Sequence, residues 1–313
     1  MDKVKKVGVI GSYAVGMTIT TDKFPVGGET VRGSGFKALH GGKGSNQAIA
    51  AARMGAEVIY GGCVGNDSFG NAVFDLYEHE KIDTRFIKRS QKGQSTGVGL
   101  IYVNKDGENE IVIDLAANFE FSKEHVDEMI SSLKECELLL MQLEIAYDVV
   151  LYAAKRCKEI GLRFVLNPAP YQVLTEELLE CCDYLTPNQT EARLILGLKA
   201  DDPISDEEVA KRIHKMGVKN VIVTLGCEGA LYVNDTECKR IPGIRVKPVD
   251  TTGAGDTFSA SFCVALAEGK SAEEAIKAAN VAAGLAVTKY GVIESIPFKE
   301  EVENYLAKEV KKA

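Results

Sequence analysis

The feature that most constrains the fold is an alternation along most of the chain, in which short, strongly apolar segments are separated by longer amphipathic ones. Val7–Ile10, Val58–Gly61, Leu138–Leu143, Phe164–Leu166 and Val221–Leu225 are apolar and turn-bounded, as strands buried on both faces are. Between them, Asp67–Glu80, Lys123–Glu135, Tyr147–Ile160 and Glu207–Met216 repeat apolar residues at helical spacing. Ser205-Asp-Glu-Glu208 and Ser271-Ala-Glu-Glu274 read as capping boxes that open two later helices. This alternation predicts an α/β fold, a mostly parallel sheet with helices on both faces. Such sheets bind ligands at the carboxyl ends of their strands. Two regions break the pattern. Ser12–Leu39 and Thr96–Leu115 alternate with period two, and Asn104-Lys-Asp-Gly107 is a hairpin turn. They predict a small second sheet of antiparallel strands, either a lid over a site or a peripheral decoration.

Composition removes several classes of function. The chain has 313 residues, 45% of them hydrophobic and 26% charged, enough to bury a core within a single α/β domain spanning residues 1–313. A formal net charge of −8 and a pI near 5.3 leave no overall basic footprint for nucleic acid or an anionic membrane. The apolar stretches are strand-length, far short of the ~20 residues of a membrane helix. Met1–Ile10 runs from a Lys-rich start into a strand without the apolar region of a secretory signal, so a cytoplasmic location is expected. The eight cysteines are scattered, apart from the adjacent Cys181–Cys182, and form no CxxC pair. Buried reduced thiols are expected. The four histidines, His40, His79, His125 and His214, show no ligand spacing, and the last three are expected at the surface. No metal cage is predicted.

Two glycine-rich segments carry the chemistry. In Gly41-Gly42-Lys43-Gly44-Ser45-Asn46, running into Gln47–Arg53, glycines would let the backbone approach a ligand and the following helix would offer free N–H groups. It is not a Walker A loop, because Gly44 rather than Ser or Thr follows Lys43. In Asp250-Thr-Thr-Gly253-Ala254-Gly255-Asp256, followed by a helical run over Thr257–Glu268, the turn can form an anion hole of backbone amides. Asp256 could be only a favourable N-terminal residue. A cap needs neither three small residues before it nor Asp250 six positions upstream. Two further segments are ambiguous alone. In Thr186-Pro-Asn188-Gln-Thr-Glu191, Asn188 could cap a helix, with Glu191 one turn along. Thr224-Leu225-Gly226-Cys227-Glu228-Gly229 turns between two β segments and could cradle a nucleotide or be a hairpin. Gly8, Gly11 and Gly16 do not form the dinucleotide fingerprint, and no G-x-S-x-G elbow occurs.

In this order, the segments resemble the ribokinase family of carbohydrate kinases, which includes the phosphofructokinase-B type enzymes. The resemblance runs from Gly11-Ser12 to the C-terminal helix. It is carried by residues 41–48 and 250–258, with Pro25 to Thr30, Met141-Gln-Leu-Glu144, Asn167-Pro-Ala169 and residues 186–191 and 224–229 fitting the same template. It implies a three-layer α/β/α fold with an antiparallel β lid formed by insertions at about 12–39 and 96–115. It also implies ATP-dependent phosphorylation of a primary hydroxyl, with Asp256 as base and the N–H groups of Gly253, Ala254 and Gly255 stabilising the transferring phosphoryl group. Gly42, Lys43, Gly44, Asn46, Glu144 and Asp256 would then contact the acceptor. Asn188, Thr224, Leu225, Gly226, Cys227, Glu228, Gly229, Gly255 and Asn280 would line the ATP site. Asn188 and Glu191 would organise Mg²⁺ through its waters. Asp250, Thr252, Ala286, Lys289, Gly291 and Ser295 match positions that hold a monovalent cation, which implies potassium activation. The lid implies a homodimer interface.

At the sugar end the chain departs from the template, which has an asparagine and an aspartate gripping hydroxyls where this sequence has Ala14 and Gly16. Each charge-assisted hydrogen bond so lost is worth roughly 1.5–3 kcal/mol. Two expectations stand side by side. Either the vacated space admits a bulkier or differently oriented acceptor, a nucleoside or a ketose, or ribose is held by other residues such as Tyr13 or Thr18. A sugar or nucleotide sensor that keeps the fold without turnover is the non-enzymatic alternative.

Overall fold

A computed structural model describes residues 4–310; the first three residues of the Lys-rich start and residues 311–313 lie outside it. The chain runs β1 (Lys6–Ile10), β2 (Ala14–Thr21), β3 (Gly33–Gly41), α1 (Lys43–Arg53), β4 (Glu57–Val64), α2 (Ser68–His79), β5 (Asp83–Arg89), β6 (Gly97–Val103) and β7 (Asn109–Asp114). It continues through α3 (Lys123–Leu133), β8 (Leu138–Met141), α4 (Tyr147–Ile160), β9 (Arg163–Leu166), α5 (Glu176–Leu179), β10 (Tyr184–Leu185), α6 (Gln189–Ile195) and α7 (Asp206–Lys215). It closes with β11 (Val221–Thr224), β12 (Ala230–Val233), β13 (Cys238–Ile241), α8 (Ala254–Ala267), α9 (Ala272–Ala286) and α10 (Lys299–Val310).

Nine strands form the main sheet in the order β13-β12-β11-β10-β9-β8-β1-β4-β5. Its pairings are parallel from β11 to β5, and only the β12 and β13 edge is antiparallel. β1 sits mid-sheet, pairing Val7 with Val58 on one side and Leu138 on the other. Both faces are covered, as apolar parallel strands require. α1, α2, α8, α9 and α10 pack one face and α3, α4, α5, α6 and α7 the other. The carboxyl ends of β1, β8, β9 and β11 lead to Gly11, Gln142, Asn167 and Leu225, so the loops that follow them share one rim of the sheet.

The two period-two regions form a separate four-stranded sheet, β3-β2-β6-β7. β2–β3 and β6–β7 pair antiparallel, with the Asn104–Gly107 turn where expected, but the central β2–β6 pairing is parallel. A parallel neighbour needs a long crossover, and the β1-side helices and strands between residues 41 and 97 supply it. This sheet is pinned to the body at Tyr13, whose N–H and C=O both bond the side-chain amide of Asn118, at 2.9 Å each.

Local expectations fared unevenly. Ser271 and Glu274 form the full capping box. Ser205 caps Glu208 N–H, but Glu208 spends its carboxylate on Arg212 at 2.7 Å, so the reciprocal half is missing. β8 stops at Met141, two residues short of the expected end, because Leu143 N–H already bonds Ala169 O. The cysteines are all unpaired and six are buried, but Cys227 and Cys238 are exposed. His79 is exposed, whereas His125 bonds Ser122 N–H as part of a cap and His214 bonds Val218 O and Asp235.

Candidate active site

The two glycine-rich segments meet face to face at the rim. Gly42 sits at the N-terminus of α1 with φ of +89°, and Gly253 at that of α8 with φ of +77°, conformations that favour glycine. In the first segment Gly44 serves packing rather than a ligand. A Cβ built on Gly44 falls 2.5 Å from the backbone of Gly11 and Ser12, so α1 abuts the β1–β2 turn and Ser45 N–H bonds Ser12 O at 2.8 Å. Gly255 is the opposite case: nothing lies within 4 Å of the position its Cβ would take.

α8 begins three residues earlier than its expected helical run, so Asp256 stands in its first turn, only 4% exposed. Its Oδ2 accepts from Asn46 Nδ2 and its Oδ1 from Gln47 Nε2, both at 2.9 Å. Of the three proposed anion-hole donors, Ala254 N–H is directed at Thr251 O, at 3.3 Å. The N–H groups of Gly253 and Gly255 have no partner among the described residues, as helix N-termini leave them. Lys43 is half-buried, and the Asp256 carboxylate holds its ammonium above the ordinary lysine range against the opposing effect of burial, with Glu144 and Glu191 adding to the rise. Glu144 Oε2 accepts from Lys43 N–H at 2.9 Å and Ser12 Oγ at 2.5 Å, joining the end of β8 to both turns.

Three cavities converge here. An apolar cavity of about 270 Å³ lies between the β11–β12 turn and α8–α9, lined by Thr224, Gly226, Cys227, Gly229, Gly255 and Asn280, with Ile244, Val246, Pro248 and Val287 among its walls. A larger one of about 530 Å³ lies under the small sheet, lined by Gly42, Lys43, Asn46, Glu144 and Asp256 on its floor and Ala14, Gly16, Leu39, Ile101, Ile111 and Ile113 on its roof. A third, of about 150 Å³, joins them, bordered by Lys43, Asn188, Glu191, Thr224, Gly253, Gly255 and Asp256.

Leu225 and Glu228 do not line the apolar cavity beside the β11–β12 turn. Leu225 is buried in the core and Glu228 turns outward to Arg240 at 3.1 Å. Gly44 likewise borders none of the three, being packed on Gly11. Asn280 lines the first cavity with its Nδ2 engaged by the carbonyls of Ile241 and Pro242. Asn188 and Glu191 form a reciprocal capping box on α6, each side chain accepting the other's N–H at 2.8 Å. Burial raises the Glu191 carboxyl above the ordinary range, partly offset by the Asn188 N–H and by Lys43. Asp250, Thr252 and Gly291 meet at the edge of the acceptor cavity, where the Asp250 carboxylate accepts the N–H groups of the other two at 2.9 and 3.2 Å. Ala286 and Ser295 are buried, with Val287 O between them in sequence accepting the Val249 and Asp250 N–H groups, and the Lys289 ammonium pairs with Glu301.

Three site residues lacked any role in the sequence reading: Gln47, Gln142 and Asn167, a buried amide chain behind Asp256. The available signal was polarity in apolar company, since Gln142 directly follows Leu138–Met141 and Gln47 precedes Ala-Ile-Ala-Ala-Ala.

Comparison with known proteins agrees with this geometry. Residues 4–299 match the family model described as pfkB family carbohydrate kinase. Ribokinase of Haemophilus influenzae is 39% identical over 302 residues, covering 96% of this chain and 98% of its own. Deoxyribokinase of Salmonella typhi is 34% identical, with 96% and 98% covered. The structure of Arabidopsis thaliana ribokinase complexed with ribose and ATP superposes with a TM-score of 0.90 at 30% identity, covering 97% of this chain and 99% of that one. The chain is thus a member of the pfkB family of carbohydrate kinases.

Proposed function

We propose that this kinase transfers the γ-phosphoryl group of ATP to a primary hydroxyl of ribose or a closely related sugar, with Asp256 accepting the hydroxyl proton. The observation that carries this reading is the junction. The small cavity joins the apolar space beside the β11–β12 turn to the larger space under the small sheet, and Asp256, Lys43 and the free N–H groups of Gly253 and Gly255 border or stand at it. The acceptor oxygen loses its proton to Asp256, bonds the γ-phosphorus, and the bond to the β–γ bridging oxygen breaks to release ADP. Such a transition state is loose, so positioning and electrostatics dominate, and the base contributes ~10²–10⁴-fold. Lys43 and the two free N–H groups meet the charge on the transferring group.

Mg²⁺ arriving with the nucleotide would neutralise phosphate charge. No cluster of three His, Cys, Asp or Glu side chains that could cage a metal exists among the described residues. Asn188 and Glu191, oxygen donors already engaged with each other's backbone, suit an ion that keeps its waters. Asp250, Thr252 and Gly291, with the carbonyls of Ala286, Lys289 and Ser295, would hold potassium, an oxygen-only set suited to an alkali cation.

A second reading of the acceptor is favoured by Ala14 and Gly16. They leave the β2 wall of the acceptor cavity with Thr18 as its one hydroxyl side chain, and a Cβ at Gly16 would meet only ordinary contacts, 3.5 Å or more away. An acceptor with fewer hydroxyls towards β2, a deoxy sugar, or one with a bulkier group there, a nucleoside or ketose, fits that wall. The same kinase would be a homodimer through the lid. Leu100 and Val112, directly paired on the face opposite the cavity, are 39% and 64% exposed. The unpaired thiols support a cytoplasmic location, and no helix among the described residues is long and apolar enough to cross a membrane.

The test is ADP release with MgATP and potassium across ribose, 2-deoxyribose, ketoses and nucleosides. Turnover on one of them supports the reading and names the acceptor. Ala14→Asn with Gly16→Asp should raise ribose turnover; no gain contradicts the role given to those positions. Binding of ATP and sugar without turnover on any acceptor would make the chain a sensor.

A further inference from the structure

The amides behind Asp256 divide its two oxygens between protein and cavity. Oδ2 is bonded by Asn46, which lines the acceptor cavity. Oδ1 is bonded by Gln47, which is fully buried and borders none of the three cavities. Adjacent helical residues point about 100° apart, so α1 sends one amide towards the acceptor and the next into the core.

An amide can present either its N–H or its C=O, so something must set which. Here the setting starts at a backbone carbonyl. Thr186 O can only accept, so Asn167 turns Nδ2 to it at 3.0 Å. Asn167 Oδ1 then takes Nε2 of Gln47 at 3.1 Å. Gln47 Oε1 is left facing Gln142, whose Nε2 donates at 2.5 Å. Gln142 Oε1 ends the series, buried and without a partner; turning that amide round would instead set carbonyl against carbonyl at Gln47.

We propose that Gln47 is a positioning residue for phosphoryl transfer, held by Asn167 and Gln142 with its N–H towards Asp256, so that Oδ1 is permanently occupied and Oδ2 takes the acceptor proton. This rests on Asp256 being the base. Asn46 yields Oδ2 as the acceptor hydroxyl arrives. Lys43 on α1, Glu144 after β8, Glu191 on α6, Asp250 before α8 and His40 on β3 are the charged and titratable groups bordering the same space, and none hydrogen-bonds the Asp256 carboxylate among the described residues.

The test is made at Gln142, one residue removed from Asp256. Gln142→Met removes the donor to Gln47. Gln142→Glu, ionised at alkaline pH, draws the Gln47 N–H to itself and turns the Gln47 carbonyl on Asp256. With wild-type turnover and its loss in Asp256→Asn recorded in the same ADP-release assay, failure of the base assignment shows separately. The expected result at pH 9 is a kcat several-fold down in Gln142→Met and on the order of 10²-fold down in Gln142→Glu, with KM for ATP within twofold of wild type. Lowering the pH should restore Gln142→Glu towards the level of Gln142→Met, because a protonated carboxyl donates again. Gln142→Glu equal to or better than Gln142→Met at pH 9, as its closer shape would give if the residue only filled space, overturns the proposal. Independently of any variant, the side-chain amide protons of Gln47 and Gln142 in the wild-type protein should exchange slowly with solvent by NMR. Solvent-like exchange overturns it too.

Discussion

Gly44 and Gly255 occupy equivalent first-turn positions in two motifs, yet the structure assigns them opposite sensitivities to an added methyl group. On Gly44 the Cβ falls 2.5 Å from Gly11 C and Ser12 N and 2.7 Å from Gly11 Cα. All three are backbone, so no rotamer relieves the contact. The turn they belong to is held by Gly11 N–H to Gly61 O at 3.0 Å and Ser45 N–H to Ser12 O at 2.8 Å. Separating α1 from β1 by about an ångström costs roughly 3 kcal/mol, offset by about 1 kcal/mol of improved helix propensity. The net loss of about 2 kcal/mol lowers Tm by about 3 °C in a chain of 313 residues. On Gly255 the methyl meets nothing within 4 Å, so Tm should hold or rise slightly. That methyl projects beside the cavity that joins nucleotide to acceptor, and displacing a reacting group by an ångström costs on the order of 10²-fold in rate. Thermal unfolding and ADP release on both Ala variants read the two effects. A Gly44→Ala protein as stable as wild type, or a Gly255→Ala protein of full activity, refutes the assignment of one glycine to packing and the other to ligand.

Three further outcomes follow from charges. Arg53 and Glu80 pair at 2.6 Å with side chains only 12% and 7% exposed, and Arg53 also bonds the carbonyls of Ile293 and Ile296; Glu80→Ala should therefore cost about 3–5 kcal/mol, measured by thermal unfolding. Hydrogen bonds from Lys239 and then Lys277 hold Glu273 down from 4.5 to about 2. A carboxyl lowered on folding stabilises above its unfolded value and loses that effect as pH falls, so wild type and Glu273→Gln should differ in Tm above pH 4.5 and converge towards pH 2; a constant difference contradicts it. Exchanging potassium for sodium should lower kcat through the loop around Asp250 and Gly291, and unchanged rates would remove that site.

The layered α/β architecture was legible because parallel strands buried on both faces must be apolar runs, and five such runs are strands of the main sheet. The parallel β2–β6 pairing was not, since period-two alternation reports which face is buried and says nothing of the neighbour's direction. The site divides in the same way. Residues 41–46 and 250–256 are local motifs, and the structure brings them together around Asp256. Gly44 shows that a glycine-rich stretch reports close approach without saying whether to a ligand or to backbone. Leu225 and Glu228 lie within a cavity-lining turn, but the direction each side chain takes is set by the core and by Arg240, distant in sequence. The Gln47–Gln142–Asn167 chain is assembled from three separate elements, so no single stretch of sequence displays it.

The most direct test of the central claim is steady-state ADP release by Asp256→Asn against wild type, with MgATP, potassium and the best acceptor from the panel. Because Asn46 and Gln47 already direct N–H groups at both oxygens of Asp256, the variant's unfolding temperature should be measured alongside. The account predicts a folded protein that still binds ATP and has lost ~10²–10⁴-fold in kcat. A folded Asp256→Asn protein with wild-type kcat would contradict it.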